Sequence, residues 1–195
     1  MYLQRKIDSI LEDWKRNENR KPIIIKGSRQ VGKTESIRHF ANKHYKSVIE
    51  INFVEEPKYQ MITADGYGTA EIIKNISRLD PSKKFIAGET LIFFDELQAF
   101  PQIATALKFF VQDGRFDVIC SGSLLGINYR QIESNSVGYK IDVQMYSMDF
   151  EEFLWTKGYG DDFAEELLSS MQQLKPLSSL MMSVCDELFL DYTIL

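Results

Sequence analysis

The sequence predicts an α/β domain: a mostly parallel sheet covered by helices on both faces. Three observations carry this. Short apolar runs of strand length alternate with segments whose apolar residues recur every three to four positions. The run Thr90-Leu91-Ile92-Phe93-Phe94 is continuously apolar, as a strand buried on both faces must be. A glycine-containing loop, Gly27 to Thr34, joins one strand-like run directly to a helix-like one. Strands and helices in alternation place helices on both sides of a parallel sheet.

Each element has its own signal. Leu3, Ile7, Ile10, Leu11 and Trp14 form one apolar stripe, so the chain opens with an amphipathic helix. A polar connection, Asn17 to Lys21, leads to the strand Pro22-Ile23-Ile24-Ile25-Lys26, opened by a proline where a missing donor does least harm. Ile37, Phe40, Ala41 and His44 fall at i, i+3, i+4 and i+7, so a helix follows the loop. Ser47 to Phe53 alternates and reads as the second strand. A turn-rich stretch, Ala64 to Thr69, precedes a helix bearing Ile72, Ile73, Ile76 and Leu79, which Asp80-Pro81-Ser82 ends. After the Thr90–Glu96 strand, Pro101 starts a helix carrying Ile103, Leu107, Phe110 and Val111. Asp117 to Cys120 is a fourth strand running into Ser121-Gly122-Ser123, and Ile141, Val143 and Met145 alternate with Asp142 and Gln144 as a half-exposed edge strand does. Near the end, Leu177, Leu180, Met181, Val184, Cys185, Leu188, Phe189 and Tyr192 make a helical stripe that needs a covering surface.

The chemistry begins at Gly27-Ser28-Arg29-Gln30-Val31-Gly32-Lys33-Thr34, which fits G-x-x-x-x-G-K-[ST], the P-loop pattern. Its glycines permit positive φ and close backbone approach, so successive N–H groups can curl around phosphate oxygens. Lys33 is placed to reach the β- and γ-phosphates and the Thr34 hydroxyl to ligate Mg²⁺. A helix N-terminus just behind the loop favours an anion through its free N–H groups and dipole. The pattern implies a nucleoside triphosphate with Mg²⁺ as the bound species.

Asp95 closes an apolar strand, at the carboxyl edge of the sheet beside the loop, where it can hold Mg²⁺ through a water. Glu96 follows immediately, and a carboxylate there can take a proton from an attacking water. Ser121 and Ser123 end the next strand, where a hydroxyl could touch the γ-phosphate or that water. His39 and His44, five apart, have the wrong spacing for shared metal ligation on a helix and read as packing and surface residues.

Composition bounds the rest. The 195 residues suit one α/β domain with a small appendage. A formal charge of −5 gives no basic footprint for nucleic acid across the whole surface. The local cluster Lys15-Arg16 and Arg20-Lys21 reads as a solvated helix end. Cys120 and Cys185 are too few for a disulfide framework or metal cluster. No apolar run approaches the ~20 residues of a membrane span. The expectation is a reduced, soluble, cytoplasmic protein.

Taken together, Gly27–Thr34, the Leu91–Gln98 segment, the Ser121–Ser123 turn and Met148-Asp149-Phe150-Glu151-Glu152-Phe153-Leu154 resemble the AAA-type ATPases of bacteria and archaea in which an ATPase module precedes a C-terminal domain of unknown function. That resemblance implies a P-loop NTPase three-layer sandwich with a five-stranded sheet in the order 5-1-4-3-2. It implies an ATPase module over 1–158 and a helical segment over 159–195, the start of a C-terminal region largely missing here. It also implies that Lys33 and Thr34 bind phosphate and Mg²⁺, Asp95 coordinates Mg²⁺, Glu96 is the base and Ser123 sits at the sensor position. One departure stands out. Where family members often carry Gly-Arg before the last strand, a candidate arginine finger, this chain has Val137-Gly138-Tyr139-Lys140. Lys140, Arg130 or a neighbouring copy in a homo-oligomer would have to supply that cation. The functional expectation is Mg²⁺-dependent ATP hydrolysis coupled to conformational change. The rivals are a nucleotide-dependent switch with little turnover and a small-molecule phosphotransferase. The last fits worse, because such kinases usually lack a base beside the Asp and bring an arginine-rich lid.

Overall fold

The computed structural model describes residues 2–123 and 137–194. Five strands, β1 (Ile23–Lys26), β2 (Ser47–Asn52), β3 (Thr90–Asp95), β4 (Asp117–Gly122) and β5 (Ile141–Gln144), form one sheet in the order β2-β3-β4-β1-β5. Every neighbouring pair is parallel. The order is the expected one read from the other edge, and the sheet is wholly rather than mostly parallel.

The helices of the sheet unit are α1 (Lys6–Arg16) from Ile10 onward, α2 (Lys33–His44), α3 (Thr69–Leu79) and α4 (Leu107–Asp113). All six residues of β3 are buried, as a central strand in a three-layer fold requires. Alternate residues serve opposite layers. Ile24, Ile49, Ile51, Ile92, Phe94 and Cys120 join one core with Ile72, Ile76, Leu107 and Phe110 of α3 and α4. On α2, Ile37, Phe40 and Ala41 are buried, and Trp14 of α1 packs against Phe40 with ring centroids 6.1 Å apart.

Three local outcomes differ from the sequence pattern. Pro101 opens a 3₁₀ turn, Pro101–Ala106, and the α-helix begins only at Leu107. Its three-residue period eclipses Ile103 and Ala106 on one side, and both are buried. A second 3₁₀ turn, Pro57–Thr63, buries Tyr59 and Ile62 under α3. And β4 extends to Gly122, because β1 continues alongside it with Ile25 opposite Ser121 and Lys26 opposite Gly122.

The chain divides into two compact units, Ile10–Ser147 and Met1–Ser9 with Met148–Leu195. The second is helical, with α5 (Phe150–Thr156), α6 (Asp161–Gln172) and α7 (Ser179–Ile194). Asp149 and Glu152 make a reciprocal capping box at the start of α5. Glu152 also takes the Lys6 backbone N–H at 2.7 Å and pairs with Arg5 at 3.1 Å, both side chains almost fully buried. The Asp-Phe-Glu-Glu-Phe-Leu stretch is therefore structural here: two acidic residues fix a helix start, while Phe153 and Leu154 join Leu188 in a small core. That core covers only part of the C-terminal stripe. Leu188 is 7% exposed, but Leu180 remains 76% and Phe189 55% exposed.

Candidate functional site

The site lies at the carboxyl ends of β1, β3 and β4. Gly27 leaves β1 under the last residues of β5: a Cβ there would sit 2.3 Å from the Met145 carbonyl oxygen, so only glycine lets the chain pass. Ser28, Arg29 and Gln30 then stand exposed, and Val31 tucks back into the core. Two residues adopt the left-handed region, Gln30 at φ 64° and Gly32 at φ 96°. Turning the backbone in this way aims successive N–H groups into one concavity. Gly32 is also the N-cap of α2 and supplies no side-chain cap, so the first-turn N–H groups remain available to an anion.

Lys33 is buried, and its ammonium donates to the Gly27 carbonyl at 3.0 Å and the Ser28 carbonyl at 2.6 Å. Burial pulls its pKa down, opposed by the nearby carboxylates of Glu96 and Asp95. Thr34 donates its hydroxyl to Asp95 Oδ2 at 3.0 Å. The other oxygen of Asp95 accepts the Glu96 N–H at 2.9 Å and the Ser121 hydroxyl. Asp95 itself is only 4% exposed, a carboxylate held in a dry position by three donors. Glu96 occupies the left-handed region at φ 55°, uncommon for a residue with a side chain and often found where function requires it. Its carboxylate accepts from the Gln98 amide.

Thus the structure gathers the loop, Thr34, Asp95 and Glu96 as their spacing in the sequence implies. Ser121 is the hydroxyl on Asp95, while Ser123 lies just beyond β4, half-buried. The strand order explains Ser121: β4 lies between β3 and β1, so a side chain at its end meets both. Gln98 ends the Leu91–Gln98 segment that carries the family resemblance, but its bond to Glu96 has no periodic signal in the sequence. Arg130 falls outside the described residues, and Lys140 pairs with Asp142, which also takes Lys26 at 3.1 Å.

The basic cluster is only half a solvated helix end: Arg16 and Lys21 are exposed, but Lys15 and Arg20 are half-buried on an acidic partner. Asp117 starts β4, at the opposite edge of the sheet from the loop, and gathers Lys15 at 2.9 Å, Arg20 at 2.6 Å and the Tyr45 hydroxyl at 2.6 Å. Arg16 pairs with Asp13, and Lys21 donates to the Gly138 carbonyl. Burial pushes the Asp117 carboxyl up, but the hydrogen bonds from Arg20, Tyr45 and Lys15 outweigh it and hold the group below the usual range. Cys120 is fully buried, and burial raises its thiol pKa, as in an inert packing residue. His44 bonds Glu12 at 2.8 Å, away from the loop chemistry.

A wholly parallel sheet, a strand–loop–helix phosphate cradle and an acidic neighbouring strand end define a P-loop nucleotide-binding domain. The family model described as AAA domain matches residues 19–154, and the chain belongs to that family. A comparison with curated proteins gives no match. Among solved structures the chain is similar to Drosophila ORC in a structure bound to DNA, with a TM-score of 0.50 at 14% identity over 85% of this chain and 49% of that one. It is also similar to C. elegans PCH-2, with a TM-score of 0.48 at 10% identity over 89% and 48%. The chain spans about half the length of each. At 14% identity the likeness to ORC is one of fold alone. The family makes this chain a nucleotide-binding module of the AAA type. No helix among the described residues is long and apolar enough to cross a membrane.

Proposed function

We propose that this module binds ATP with Mg²⁺ and hydrolyses it, using the energy of the bound state to change conformation. The observation that carries the reading is the Thr34–Asp95 hydrogen bond of 3.0 Å beside the uncapped N-terminus of α2. The residues fit Mg²⁺: a hydroxyl and a carboxylate, both hard oxygen donors, converge next to a phosphate cradle. Thr34 and Asp95 would hold the ion together with phosphate oxygens of the nucleotide. When bound, Mg²⁺ neutralises charge developing on the β- and γ-phosphates.

The protein's own residues do the rest. Backbone N–H groups of Ser28 to Thr34 wrap the phosphates. Lys33 exchanges the Gly27 and Ser28 carbonyls for phosphate oxygens, which loosens the loop's closed form and couples binding to a conformational change. Thr34 and Asp95 would hold Mg²⁺ in place of their mutual hydrogen bond. Glu96, freed from Gln98, orients a water in line with the γ-phosphorus and takes its proton. Ser121 keeps the Asp95 carboxylate oriented, and Ser123 senses the γ-phosphate. A cation from Lys140, Arg130 or a neighbouring copy stabilises the transferring phosphoryl group. The hydrogen bond from Gln98 to Glu96 favours a second reading, a nucleotide switch in which the base stays restrained and turnover is slow.

Titration with a fluorescent ATP analogue and a phosphate-release assay test both readings. Lys33→Ala removes the loop's buried cation and should abolish detectable binding. Glu96→Gln should keep the affinity and reduce turnover by about a hundredfold or more. Unchanged binding by Lys33→Ala refutes the nucleotide site. Parental turnover in Glu96→Gln refutes the base, and a parent without turnover that still binds ATP establishes the switch.

A further inference from the structure

The helical unit carries a feature that nucleotide chemistry does not use. Between α5, α6 and α7 lies an open groove of about 630 Å³. Its floor is apolar, with Phe150, Leu154, Leu168, Met171 and Phe189, and its edges carry Asp149, Glu151, Glu165 and Asp186; no basic side chain lines it. Leu168 is 56%, Met171 73% and Phe189 55% exposed, so a substantial apolar face is wet. Lys6 pairs with both Asp149 and Glu151 and offsets one of their two charges. The carboxylates of Glu165 and Asp186, in contrast, make no ion pair or hydrogen bond among the described residues. Residues 148–195 hold ten acidic and two basic side chains, more negative charge than the whole chain has net.

We propose that this groove docks an amphipathic helix of a protein partner whose apolar face is flanked by lysine and arginine. The floor sets the backbone requirement. It offers no strand edge, so an extended peptide would bury unpaired N–H and C=O groups, whereas a helix satisfies its own. The rim sets the charge: unpaired Glu165 and Asp186 beside an apolar floor select cations on the occupant's flanks and repel anions. The same charges argue against other occupants. Two copies packed groove to groove would bring each acidic rim against its own counterpart. An anionic lipid surface would be repelled as well. Burial together with Asp186 and Glu166 raises the Cys185 thiol, in keeping with a negative field at the groove wall.

The test uses the full chain and a fluorescent peptide of about 18 residues, leucine on one helical face and lysine on the other. Anisotropy at low salt should show saturable binding that weakens as salt rises. Glu165→Lys with Asp186→Lys should weaken it by about tenfold or more. Leu168→Ser with Phe189→Ser should do the same while leaving the melting temperature near the parent's, because both side chains are already more than half exposed. The glutamate version of the peptide and a lysine version interrupted by prolines should not bind. Absence of binding by the lysine peptide overturns the proposal, as does equal binding by either double variant or by the proline-interrupted peptide. A parent dimer in light scattering that the Leu168/Phe189 variant abolishes would assign the groove to a second copy and also overturn it.

Discussion

Replacing Gly27 with alanine tests whether the phosphate loop is held by contact with the end of the sheet. The added Cβ would lie 2.3 Å from the Met145 carbonyl oxygen and 3.3 Å from both Met145 C and Val31 Cγ2. The first distance is about an ångström too short for non-bonded carbon and oxygen. The obstacle is backbone, and it is fastened: the Met145 N–H donates to the Lys26 carbonyl at 2.7 Å, one residue before the substitution. Relief therefore needs either that bond or the loop to move. Overpacking costs about 1–3 kcal/mol, and a lost hydrogen bond adds about 1 kcal/mol. A penalty of about 3 kcal/mol in a chain this size lowers the melting temperature by about 6–12 °C. Gly88→Ala separates crowding from torsion, since Gly88 sits at φ +75° and a methyl group there would meet nothing within 4 Å. It should cost about 1 kcal/mol, or about 2–4 °C. Differential scanning fluorimetry of both variants, with and without ATP and Mg²⁺, reads the difference. Gly27→Ala should also lose the nucleotide-dependent shift. If it melts no lower than Gly88→Ala, the contact with Met145 does not hold the loop.

Asp95→Asn removes the charge that faces Thr34 and should make ATP binding nearly independent of Mg²⁺; a magnesium titration that matches the parent's would contradict this. Asp117→Ala strands Arg20, Lys15 and Tyr45 together and should cost about 3 kcal/mol in denaturant melts. Because the folded carboxyl is held below its ordinary value, its contribution is present above about pH 4 and is lost as the pH falls through the folded value. The parent should therefore lose more stability than Asp117→Ala on acidification, and parallel acid titrations of the two would refute the network. Leu188→Ser empties the small helical core and should cost about 3 kcal/mol, exposing the 148–195 segment to limited proteolysis. Phe189→Ser, one residue on and 55% exposed, should not; equal cleavage of both would mean that Leu188 is not buried in solution.

The sheet was legible because its strands announce themselves locally. β3 is unbroken apolar sequence, β1 is framed by Pro22 and Gly27, and the loop pattern demands a strand before it and a helix behind it. Lys33, Thr34, Asp95 and Glu96 could be named for the same reason: each sits at a fixed offset from a strand end or a glycine. Strand order was a different matter. Periodicity says that a strand exists, not which neighbour it takes, and here the order came from family resemblance before the hydrogen-bonded register displayed it. Register in turn decided what no local pattern could. It brought Ser121 against Asp95 on the neighbouring strand, and the packing of α1 and the connections beside β4 gathered Lys15, Arg20 and Tyr45 onto Asp117 from positions up to 102 residues away. Lys15 and Arg20, near a helix end, look solvated in sequence because their acidic partner Asp117 lies far along the chain. The C-terminal stripe shows the same limit: spacing made it helical, but only packing determined that Leu188 is covered while Leu180 and Phe189 stay in water. Local chemistry writes the elements and their reactive ends; long-range contact assigns each side chain its neighbours.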